Sequence, residues 1–74
     1  MDDIISLHLD AAELHEKVEE HHQRAAIHRA VGNKEEELEH TQKAYDLAKQ
    51  AYELTEKVYQ EFQKSINVRE EKSE

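Results

Sequence analysis

Apolar side chains recur along the first third of this chain at alternating intervals of three and four: Ile4, Leu7, Ala11, Leu14, Val18, His21, Ala25 and His28, with histidine in the last intervals. That period keeps one stripe on one face of an α-helix. It predicts a first helix over about 3–31, starting at Asp2 or Asp3, about 45 Å long at ~1.5 Å rise per residue. Near its end the stripe broadens as Ala26, Ile27, Ala30 and Val31 join it. Asp10 and Glu13 have the spacing of a capping box, which marks the first turns as a place where the helix could fray.

The next residues carry a stop and a start together. Gly32 is the only glycine, proline is absent, and Asn33-Lys34-Glu35-Glu36 follows. Glycine just past a helix end takes the left-handed conformation without a Cβ penalty. Asparagine is a strong N-cap, and Glu36 stands three residues on, where its side chain can close a capping box. A turn at 32–33 is therefore expected, then a second helix over about 34–69 and a frayed tail at 70–74.

The second helix has two adjacent stripes. One is Leu38, Thr41, Tyr45, Ala48, Tyr52, Thr55, Tyr59, Phe62 and Ile66; the other is Ala44, Leu47, Ala51, Leu54 and Val58. Together they exceed the narrow seam of a two-stranded coiled coil. A helix apolar over so wide an arc needs more than one neighbour, and its own chain supplies only one. The expected architecture is all-α: a long antiparallel helical hairpin that self-associates into a four-helix bundle, as a homodimer or higher homo-oligomer. The tyrosines, seven apart, read as the edge of that core, rings buried and hydroxyls toward water.

Composition agrees with this. The chain has 74 residues, which bounds it at one domain. Charged residues are 38% and apolar ones 36%, as in long amphipathic helices. A chain this short seldom supplies a sufficient core by itself, and with no cysteine it has no disulfide to help. The acidic Met1-Asp2-Asp3 start precedes no continuous apolar run, and no stretch approaches the ~20 apolar residues of a membrane span. The expected location is cytoplasmic. The net charge of −8 argues against nucleic acid, since phosphate neutralisation needs clustered Lys and Arg.

Histidine is the compositional oddity: His8, His15, His21, His22, His28 and His40. His8, His15 and His22 flank the seam, whereas His21 and His28 occupy the stripe itself. Their plain role is polar flank and half-buried filler; the sharper one is metal binding. Residues seven apart on one helix are ~10.5 Å apart along the axis, while Zn–N bonds are ~2 Å. His21 and His28 therefore cannot share an ion unaided. Folding at 32–33 sets opposed positions to sum to about 65, which puts Glu37 level with His28 and His40 axially midway between His21 and His28. His21, His28, Glu37 and His40 are the candidate ligands for zinc or another divalent first-row metal. The pairs three or four apart that can converge are His15 with Glu19, Glu19 with His22, Glu36 with His40 and Glu37 with His40; the expected cluster near the bend is His28, Glu37 and His40, with His21 or a dimer mate as the further ligand.

Two stretches resemble known helical motifs. Glu19/His22 and Glu37/His40 form Glu-x-x-His elements similar to those of di-iron carboxylate bundles, but Glu19 and His22 lie on the flank and the facing carboxylates are missing. The stretch His21–Leu47 resembles a single tetratricopeptide unit, with Ala25, Gly32 and Ala44 at its small positions. Glu37 stands where a small residue is wanted, Thr41 and Arg24 where large apolar ones are, and a solenoid needs several units.

No Gly-rich phosphate loop, nucleophile elbow or HExxH occurs. The sequence thus reads as a small acidic self-associating interaction or regulatory module without catalytic activity. Its alternatives are a His/Glu divalent-metal-binding bundle and an acidic mimic that blocks a basic partner surface.

Overall fold

A computed structural model describes residues 3–73, with side chains described for 3–64. It contains two helices, α1 (Asp3–Ala30) and α2 (Lys34–Ser73), packed antiparallel along one another. The sequence places the bend where it is found, and the backbone shows why. Gly32 has φ 79°, the left-handed region. Its N–H donates to the Arg29 carbonyl at 3.1 Å, and the Asn33 N–H donates to the His28 carbonyl at 2.9 Å. These are the two bonds of a Schellman motif, and they satisfy carbonyls that the end of α1 would otherwise leave open. Asn33 then caps α2: its Oδ1 accepts from the Glu36 N–H at 3.2 Å and its carbonyl accepts from the Glu37 N–H at 3.1 Å.

Several boundaries differ from the sequence reading. Val31 lies in the turn, so α1 stops one residue early. Asp10 and Glu13 cause no break; α1 is continuous through them, and Glu13 pairs with Lys17 at 3.7 Å. α2 runs on to Ser73, so residues 70–73 are helical where a frayed tail was expected. Glu70, Glu71 and Lys72 are good helix formers and no glycine or proline stops them. Asp2 and Glu74 lie outside the described residues.

The line between the helices is where the α1 stripe predicts it, but it does not broaden toward the bend: Ala26, Ile27, Ala30 and Val31 are exposed. Ala11 and Ala25 are buried and Ile4, Leu7, Leu14, Val18, His21 and His28 half-buried. Of the two α2 stripes, the one containing Ala44, Leu47, Ala51, Leu54 and Val58 faces α1. Alanine at contact positions allows close approach, whereas a row of tyrosines would hold the helices apart and strand its hydroxyls. On the outer faces, Glu13–Lys17, Glu20–Arg24 and Glu39–Lys43 are i,i+4 ion pairs with the acid N-terminal, the favourable order, each worth only a few tenths of a kcal/mol.

The resulting core is thin. Among the described residues, the buried apolar side chains are four alanines and Val58, and no large side chain is fully buried. A single layer of two helices has no interior beyond its contact line.

Candidate functional site

At the bend end of that line the core is made of imidazoles. His40 of α2 sits between His21 and His28 of α1. Its ring stacks on His28 with centroids 5.5 Å apart and planes at 6°, and on His21 at 5.2 Å and 30°. His40 Nδ1 and His21 Nδ1 are 2.9 Å apart, so one ring donates and the other accepts. The placement follows from the register. His21 and His28 are two turns apart on one helix, and only a residue of the other helix can enter between them.

An acid completes the cluster. His28, Glu36 and His40 each offer one ligand atom, and these atoms all lie within 4.8 Å of one another. His28 and Glu36 are half-buried, and His40 is the most enclosed of the three. Glu36 is there because the turn chemistry leaves it free. A reciprocal capping box would spend its carboxylate on the Asn33 N–H, but that N–H is already committed to the His28 carbonyl. Asn33 therefore ties the backbone of both His28 and Glu36, through its N–H and its side chain respectively.

Of the four candidate ligands, the structure brings His28 and His40 together with Glu36 and sets His21 behind His40. Glu37 is engaged elsewhere: its carboxylate accepts from Arg29 Nη1 at 3.2 and 3.5 Å, across the bend. With Arg29 largely exposed, that pair contributes little to stability. The i,i+4 spacing of Glu36 and His40 was the signal for the acid that the cluster contains, and the competing capping role hid it.

The second feature is a flank. In an antiparallel pair the same rotational side of each helix faces the same way, so the α2 stripe left over shares a face with His8, His15 and His22. Positions 8 and 59, 15 and 52, and 22 and 45 each add to 67, about 3 Å along the axis from the level pairing at 65, so the three histidines and three tyrosines alternate along one face. The histidines are exposed. Tyr45 is 70% exposed, Tyr52 and Tyr59 64%, and Phe62 55%, so within one hairpin the tyrosine rings are open to solvent and not the buried core edge that the sequence predicts. Thr41 and Thr55 add apolar methyls to this flank, because their hydroxyls donate back to the Glu37 and Ala51 carbonyls at 2.8 and 3.1 Å. Ile66, the last position of the stripe, lies outside the residues whose side chains are described. The opposite face carries Lys17 and Arg24 of α1 beside Lys43, Gln50 and Lys57 of α2, with Ile27 and Val31 exposed near the bend.

No helix among the described residues is long and apolar enough to cross a membrane. No protein-family model, curated protein or solved structure matches the chain.

Proposed function

We propose that the chain works as a self-associating helical interaction module, whose functional unit is a closed two-fold pair of hairpins forming a four-helix bundle, and that it acts by assembly rather than catalysis. The observation that carries this is the Tyr45–Tyr52–Tyr59–Phe62 flank, large aromatic side chains left 55–70% exposed beside a core made chiefly of alanine. One face of the layer is aromatic and the other largely charged, so a second copy laid on the aromatic face covers the longest row of exposed apolar side chains.

Areas support an occupant of this size. The chain exposes 6229 Å², whereas a globular monomer of 8.7 kDa exposes about 4,700 Å². If each protomer covered the excess of about 1,500 Å², the pair would bury about 3,000 Å², within the range of obligate homodimers.

Tyr52 is the test. An aromatic side chain presents about 200 Å², of which 64% is open here. Covering about half of that open area contributes about 1.5 kcal/mol per protomer. Two-fold symmetry doubles it to about 3 kcal/mol, two decades in Kd. Tyr52→Ser should weaken self-association about 100-fold by sedimentation equilibrium, and Lys57→Ser on the charged face should not. A Tyr52→Ser curve superposable on wild type would refute the assignment of this flank.

A further inference from the structure

We propose that His28, Glu36 and His40 form a three-ligand site for a divalent first-row transition metal, with His21 as the positioning residue that holds His40. This reading is independent of self-association, because all four residues belong to one chain.

The donor set selects the class of metal. Two imidazoles and one carboxylate suit zinc, copper, nickel or cobalt; calcium and magnesium favour all-oxygen shells. Three protein ligands also leave a fourth tetrahedral position for water or an external ligand. Ligand atoms on one tetrahedral zinc are about 3.3 Å apart, given Zn–N bonds of ~2 Å. The three atoms lie within 4.8 Å of one another, so closing on an ion takes at most about 1.5 Å of movement at the longest separation. Side-chain rotation supplies that at a half-buried site. The backbone need not move. His28 and Glu36 are both pinned by Asn33, and the i,i+4 spacing sets Glu36 and His40 on one face of α2.

His21 Nδ1 and His40 Nδ1 lie 2.9 Å apart, which fixes the second ring nitrogen of His40. A ligating histidine normally donates its other ring N–H to an acceptor, which fixes its tautomer and orientation. With His40 donating from Nδ1 to His21 Nδ1, the Nε2 lone pair of His40 is left for the metal. His21 is too far along α1 to reach an ion shared with His28, since seven residues rise ~10.5 Å. Its part is to orient His40. The metal would then join the last turn of α1 to the first two turns of α2 and clamp the bend.

Isothermal titration of the full chain with zinc chloride near pH 7.5, beside magnesium chloride, tests this. One zinc per chain is expected, with no magnesium response, and a melting temperature raised by several degrees at saturating zinc and restored by chelator. Glu36→Gln and His28→Gln should each weaken zinc binding at least 10-fold while keeping the helical circular dichroism of wild type. His21→Ala should weaken it about 10- to 100-fold and keep the one-to-one stoichiometry, as loss of an outer-shell partner does. The triple variant His8→Ala/His15→Ala/His22→Ala should bind as wild type does. Zinc binding that survives Glu36→Gln and His28→Gln, or that the triple variant abolishes, would overturn the site. So would one zinc per two chains, or no zinc binding at all. A monomeric wild type that still binds one zinc would refute the bundle and leave this site standing.

Discussion

Gly32 is the point at which a single atom tests the turn. Its φ of 79° lies where residues with a Cβ are strained, and a Cβ built there meets nothing within 4 Å. The cost of substitution is therefore backbone strain alone. For alanine the left-handed conformation costs about 1–2 kcal/mol. The unfolded chain loses entropy on the same change, which returns about 0.4–1 kcal/mol. Gly32→Ala should thus destabilise by about 1 kcal/mol, a fall of about 4–8 °C in melting temperature for a chain of this size. Gly32→Asn should lose less, because asparagine tolerates this region, and Gly32→Val more, because a branched Cβ does not. The assay is thermal melting followed by circular dichroism at one fixed protein concentration, since the stability of an assembly depends on concentration. Sedimentation of each variant runs beside it. Gly32→Ala melting at or above wild type would refute the left-handed turn. An altered mass would instead mean that the break has healed into one continuous helix.

The remaining predictions concern the cap, the seam and the cluster. Asn33→Ala removes the Oδ1 bond to the Glu36 N–H and should cost about 1 kcal/mol by denaturant melts. Leu54→Glu puts a carboxylate on the contact line near Leu14 and forfeits about 1.5–3 kcal/mol of burial; with so thin a core, helicity and association should be lost together in circular dichroism and sedimentation. Zinc affinity should fall as pH is lowered from 7.5 to 5.5, because protons compete for the imidazole lone pairs; calorimetry showing no change would exclude histidine ligation.

The bend, the α1 contact line and the register were legible because each rests on local chemistry. Gly32 and Asn33 define their turn whatever packs around it, and a heptad pattern fixes a face. Two adjacent stripes on α2 were equally periodic, so periodicity could not say which faces α1; the size of tyrosine against alanine decides it. Glu36 and Glu37 show the same limit at the cluster. Both have helical spacing to His40, at four and three residues, and the choice depends on which backbone N–H groups and guanidinium are already engaged. The Asn33 N–H goes to His28 and Arg29 reaches Glu37, leaving the Glu36 carboxylate beside the imidazoles. α2 runs past the predicted end at 69 because a run of good helix formers gives no stop signal.

In the proposed assembly one hairpin is incomplete and a second copy completes it. Sedimentation equilibrium of the wild-type chain across micromolar concentrations, with helicity read on the same samples, tests it most directly. A mass of twice 8.7 kDa is expected at the upper concentrations, with helicity and dimer lost together on dilution. A monomer of 8.7 kDa that stays fully helical and melts at an unchanged temperature over the whole range would contradict it.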